Sequence, residues 1–94
     1  MSGGTDPIRR RVIAFGQVQG VFFRASVKRL ANQRGVAGSA RNRADGSVEA
    51  VFEGPQGAVE ELVAYCADGP EQARVSRLDM IEEDPQGLAG FSVR

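Results

Sequence analysis

The residues best suited to chemistry form one unbroken stretch, Gly16-Gln17-Val18-Gln19-Gly20-Val21-Phe22-Phe23-Arg24. An apolar run leads into it and a helical pattern leads out. Gly16 and Gly20 allow a sharp turn and a close approach of the main chain to a ligand. The N–H groups that open a helix have no partner inside that helix, and the helix dipole favours negative charge there. The amides around Gln19, Gly20, Val21, Phe22 and Phe23 are therefore candidates for a phosphate or carboxylate cradle. Arg24 stands where a planar guanidinium could close over the same anion with two parallel hydrogen bonds. The same residues also fit a plain tight turn with a solvated Arg, and the motif alone does not separate the two.

A second polar group of interest is Asn42, within Arg41-Asn42-Arg43, just ahead of Asp45-Gly46. Asn is common beside turns for conformational reasons, so its amide acquires a role only in combination with the first stretch. The rest of the composition removes whole classes of chemistry. The chain has no His and a single Cys, Cys66, which excludes His-based triads, zinc sites built on His or several Cys, and any intramolecular disulfide. The 12 basic and 12 acidic residues cancel, with a pI near 6.2, unlike a general nucleic-acid binder with its basic face. No apolar run approaches the ~18 residues of a membrane span, and no signal-peptide core is present. A cytoplasmic protein is expected. At 94 residues, one domain is expected, with a modest core.

The elements that must position these residues follow from periodicity. Residues 1–7 are rich in small and polar types and are expected to be a disordered tail before a domain spanning 8–94. Val12-Ile13-Ala14-Phe15 is apolar on both faces, as in an interior strand over 8–16. Phe23, Val27, Leu30 and Ala31 make one helical stripe over 22–34, stopped by Gly35. Lys28, Arg29 and Arg34 lie off that stripe and are assigned to a solvated face. Asp45-Gly46 between two strand-like runs, 36–44 and 47–53, predicts a hairpin. Val59, Leu62, Val63 and Cys66 give a second helix over 56–67, where Cys66 reads as a small buried hydrophobe. Residues 77–82 read as a strand, 82–87 as a solvated polar loop, and 91–94 as a short closing strand. The resulting order, βαββαβ plus a short C-terminal strand, predicts an α+β, ferredoxin-like split β-α-β sandwich. It has an antiparallel sheet with two helices on one face.

Several stretches together resemble the acylphosphatase family. They are Gly16-x-Val18-Gln19-Gly20-Val21-x-Phe23-Arg24; Gly35-Val36-x-Gly38; Arg41-Asn42-x-x-Asp45-Gly46-x-Val48-Glu49; Glu53-Gly54-Pro55; and Gly90-Phe91-Ser92-Val93-Arg94. The resemblance runs from about Ile8 to Arg94. It implies hydrolysis of a carboxyl–phosphate mixed anhydride to carboxylate and inorganic phosphate. It also implies that Arg24 and the loop amides bind the phosphoryl group, and that Asn42 positions the attacking water. One departure is Ser39-Ala40, where the family usually has Trp followed by a β-branched residue. That change bears on packing or acyl preference near the second strand.

The implied chemistry is compatible with what the chain lacks. Phosphoryl transfer is mostly positioning and charge stabilisation, and a carboxylate leaves without a general acid, so no His is needed; the two motifs offer no compelling carboxylate base, and a phosphate oxygen of the substrate is expected to accept the water proton. No cofactor and no metal are expected. The expected partners are a small acyl phosphate substrate and phosphate product, with no nucleic acid, no membrane and a monomeric state. A catalytically silent phosphate sensor is the competing possibility, separated by phosphate release from benzoyl or acetyl phosphate. An RNA-binding domain of this fold would need exposed aromatics on a basic sheet, and no such pattern is present.

Overall fold

The computed structural model describes residues 6–94. Seven elements follow one another: β1 (Ile8–Gln17), α1 (Phe23–Arg34), β2 (Ala37–Asn42), β3 (Val48–Gly54), α2 (Gln56–Asp68), β4 (Arg74–Glu83) and β5 (Phe91–Val93). The expected tail, 1–7, falls almost wholly outside the described residues, and Asp6 and Pro7 are exposed and outside any strand. Five strands form one sheet in the order β4-β1-β3-β2-β5. Both crossovers skip a strand: β1-α1-β2 leaves room for β3, and β3-α2-β4 leaves room for β1. This is the split β-α-β arrangement expected from the sequence.

Pairings among β1 to β4 are antiparallel, but β5 runs parallel to β2 through Gly38↔Phe91, Ser39↔Ser92 and Ala40↔Val93. The sheet is therefore mixed rather than purely antiparallel. The reason lies in residues 84–90, which carry the chain from one edge strand to the other. Crossing four strand spacings takes roughly 19 Å, and seven extended residues reach about 23–25 Å. Of the solvated loop expected over 82–87, Glu82 and Glu83 end β4, and 84–87 belong to a strap lying across the sheet face that the helices leave open.

The core lies between the other face and the helices. Val12, Ala14, Val48, Ala50 and Phe52 point from the sheet at Phe23, Val27 and Ala31 of α1 and Val59, Leu62 and Cys66 of α2, all buried. The helical stripes read from the sequence are the buried faces. Cys66 fills core space, and burial pushes its thiol pKa up to about 12, which leaves it an unreactive hydrophobe. Strand β3 alternates between the two faces. Val48, Ala50 and Phe52 face the helices, while Glu49, Val51 and Glu53 face the strap.

The strap side is held by ion pairs. Arg9 contacts Glu53 at 3.3 Å and Glu83 at 2.7 Å; Arg11 contacts Glu83 at 2.7 Å and also Glu49; Arg41 contacts Glu49 at 2.8 Å. Glu53 also accepts the main-chain N–H groups of Gln86 (2.8 Å), Gly87 (2.7 Å) and Leu88 (2.9 Å), which pins the strap to the middle of the sheet. The Phe52 and Phe91 rings stack with centroids 6.0 Å apart and set β5 on the edge beside β2.

These carboxylates predict an acid-sensitive fold. The guanidinium groups of Arg11 and Arg9 hold Glu83 down at about 2, against an ordinary 4.5. Burial pushes Glu49 and Glu53 upward, but their donors outweigh it and leave both below the ordinary value. A folded-state pKa below the unfolded one stabilises the fold above the unfolded pKa. That stabilisation is lost as pH falls through the folded value. Denaturant midpoints should therefore hold down to pH about 5 and fall steadily from about 4.5 toward 2. A midpoint flat across that interval would contradict the ion-pair assignment.

Candidate active site

The turn from β1 into α1 is built from left-handed backbone. Gly20 has φ 75° and Phe22 has φ 60°. A bulky side chain at positive φ costs about 1–3 kcal/mol and persists where surrounding structure enforces it, commonly at functional sites. Phe22 is also the N-terminal cap of α1 and offers no side-chain acceptor to the helix. The first bond closing onto that cap runs from Ser26 N–H to the Phe22 carbonyl at 3.0 Å, so the N–H groups of Phe23, Arg24 and Ala25 precede the helical ladder. Left-handed positions two residues apart, either side of Val21, give a turn whose amides are suited to an anion.

Here Arg24 and Asn42 line one hollow. Its volume is about 460 Å³, and its other walls are Val18, Gly20, Phe22, Phe23, Ala25, Lys28 and Val93. Four parts of the chain meet there: the Gly-rich turn, the first turns of α1, the end of β2 and the end of β5. Arg24 donates from Nη1 to the main-chain oxygen of Arg94 at 2.5 Å, so β5 fixes one edge of the guanidinium. Asn42 is the last residue of β2, paired with Val48 and exposed, immediately before the hairpin. That hairpin is closed by Arg43 N–H to Ser47 carbonyl at 2.8 Å and by Asp45 Oδ1 accepting Ser47 N–H at 2.9 Å. The Ser47 hydroxyl and N–H hold the Asp45 carboxyl below its ordinary value.

Not every residue of the motif reaches the hollow. The Gln19 side chain turns to the hairpin, where Nε2 donates to the carbonyls of Arg43 (2.8 Å) and Ser47 (3.0 Å), joining the two loops. Val21 packs against the core. Ser39 faces the strap and lines a separate hollow with Arg9, Arg41 and Leu88, while Ala40 is buried in the core, so neither borders Arg24. Lys28, assigned from the sequence to a solvated face, lines the same hollow as Arg24, as do Val18 and Val93. Periodicity within α1 had no way to reveal this, because the opposite wall comes from β2 and β5. Another hollow, about 510 Å³, lies between the outer faces of α1 and α2 and mixes Arg29 with Glu61 and Asp68. It borders none of the loop amides.

The family model for acylphosphatase matches residues 10–93. The chain belongs to the acylphosphatase family. An acylphosphatase of Rubrobacter xylanophilus is 54% identical over 95 aligned positions, covering 100% of this chain and 86% of that relative. One of Natronomonas pharaonis is 47% identical over 90 residues, covering 96% of this chain and 98% of the relative. The solved structure of an acylphosphatase from Coxiella burnetii superposes with a TM-score of 0.89 at 34% identity, covering 95% of this chain and 94% of that one. The acylphosphatase match thus spans both the Gly-rich turn and the hairpin that carries Asn42.

Proposed function

We propose that this acylphosphatase-family enzyme hydrolyses small acyl phosphates to carboxylate and inorganic phosphate in the hollow between the Gly-rich turn and the end of β2. Arg24 and the amides from Gln19 to Phe23 bind the phosphoryl group, and Asn42 positions the attacking water. The observation that carries this proposal is the meeting of Arg24, the uncapped start of α1 and Asn42 around one concavity. The water oxygen attacks phosphorus in line with the bridging oxygen. The P–O bond to the acyl group breaks, and the carboxylate leaves with that electron pair. The water proton passes to a phosphate oxygen. Arg24 and the amides meet the charge on the equatorial oxygens, as preorganised donors that need no reorientation during the reaction. No Asp or Glu lines the hollow among the described residues, in keeping with a substrate oxygen as the proton acceptor.

The proposal includes a monomeric, cytoplasmic enzyme without cofactor or metal, and without nucleic-acid or membrane partners. A lone buried thiol is compatible with a reducing compartment, and no described helix is long and apolar enough to cross a membrane. The test is steady phosphate release from benzoyl phosphate, followed by loss of its ultraviolet absorbance. A folded protein that binds phosphate and releases none from benzoyl or acetyl phosphate would be a sensor, not an enzyme.

Gln19 is assigned a positioning role through its two bonds to the hairpin. Gln19→Leu keeps the bulk and removes both donors. Displacing catalytic groups by a fraction of an ångström to 1 Å costs up to about 100-fold in rate. The variant should lose about tenfold to 100-fold in kcat while staying folded. Unchanged kcat would show that the cradle and Asn42 keep their spacing without this tie.

A further inference from the structure

The hollow has more polar equipment than a phosphoryl group requires. Lys28 follows Arg24 by four residues, one turn along the same face of α1, and borders the same space. Arg24 has a protein acceptor in the Arg94 main-chain oxygen. The Lys28 ammonium takes part in no ion pair or side-chain hydrogen bond among the described residues. Apart from Gly20 and Asn42, the other walls are apolar: Val18, Phe22, Phe23, Ala25 and Val93. Phe22 stands 75% exposed at the mouth, held outward by its left-handed backbone. The hollow therefore combines the anion-binding turn, apolar walls and a second, unneutralised cation.

An acyl phosphate placed with its phosphoryl group in the cradle must direct its acyl group along the remaining walls. A short neutral acyl chain meets only the apolar side chains. A chain ending in a second anion presents that charge to the ammonium, a mobile point charge on a four-carbon stem able to follow ligands of differing length. We propose that Lys28 is a specificity-determining residue that favours acyl phosphates whose acyl group carries a second anionic group, such as the monoacyl phosphate of a dicarboxylic acid. The inference rests on the acyl phosphate hydrolysis proposed above and adds the class of acyl group to it. Lys28 is not assigned a part in bond breaking. Its contact is the same in ground and transition states, so its effect belongs in KM rather than kcat.

The test compares succinyl phosphate with butyryl phosphate, which match in chain length and differ in the terminal carboxylate. The ratio of their kcat/KM values is measured in the native protein, in Lys28→Gln and in Lys28→Glu. A partly solvated charge pair is worth up to about 1 kcal/mol, or about fivefold. The ratio should fall about two- to fivefold in Lys28→Gln, through KM for succinyl phosphate, and further in Lys28→Glu. The native preference should also shrink as salt is raised from about 0.02 M to about 0.5 M, where screening lengths drop to a few ångströms. A ratio unaltered across the three proteins, including an equal loss on both substrates that would put Lys28 on the phosphoryl group, overturns this inference and leaves the hydrolytic proposal standing. No turnover of either substrate by the native protein overturns both.

Discussion

Arg24→Ala should lower kcat for benzoyl phosphate by about 100- to 1000-fold, the range seen when one preorganised donor to a developing oxyanion is removed. The guanidinium has five N–H donors in a fixed plane. One is spent on the Arg94 main-chain oxygen at 2.5 Å, and this contact orients the plane across the start of α1. The remaining donors are free for phosphoryl oxygens. An ammonium has the charge without the fork, so Arg24→Lys should recover little of the loss. Arg24 is not part of the core, and substitutions outside the core usually move stability within about 0.5 kcal/mol. Thermal melts of the two variants should therefore stay near that of the native protein. Near-normal turnover in either folded variant would remove Arg24 from the mechanism.

Asn42→Ala should have an effect of similar size but a different kinetic signature. The Asn42 carboxamide makes no hydrogen bond among the described residues, so its N–H groups and its oxygen are both available to a water molecule. It stands at the exposed end of β2, with the hairpin behind it tied to the Gly-rich turn by Gln19. A group that orients only the nucleophile contributes in the transition state and little to substrate binding. The expected result is a fall in kcat of about 100-fold or more with KM nearly unchanged. Hydrolysis in oxygen-labelled water should place the label in phosphate, because attack is at phosphorus. Label in the carboxylate product would show attack at the acyl carbon and displace Asn42 from its assigned place.

The helical stripes were legible in the sequence because each helix buries one face against one sheet. Phe23, Val27 and Ala31, then Val59, Leu62 and Cys66, are the buried positions. What stayed hidden depends on partners distant in the chain. The run 48–53 does not alternate cleanly because Val51 is apolar on the strap-facing side, between Glu49 and Glu53, two carboxylates at buried positions. They are tolerated there because Arg9, Arg11, Arg41 and the strap supply donors. The first residues of β4, 74–76, escape a period-two reading because the register shifts between Phe15 and Gly16, where a Cβ on Gly16 would lie 2.1 Å from the Arg74 carbonyl oxygen. Glu83 reads as part of a solvated acidic loop, and the guanidinium groups that capture it come from β1. In the hollow, the motif residues Gly20, Phe22, Phe23, Arg24 and Asn42 were legible as types with a spacing. Lys28 and Val93 were not, since no local pattern reports which helix face meets a closing strand more than 60 residues later.

The most direct test of the central claim is a titration with inorganic phosphate, the proposed product, followed residue by residue in the amide NMR spectrum. Saturable shifts concentrated on the main-chain N–H groups of residues 19–23, absent in Arg24→Ala, are the predicted result. Saturable phosphate binding that leaves those amides unmoved and shifts another part of the surface would contradict it.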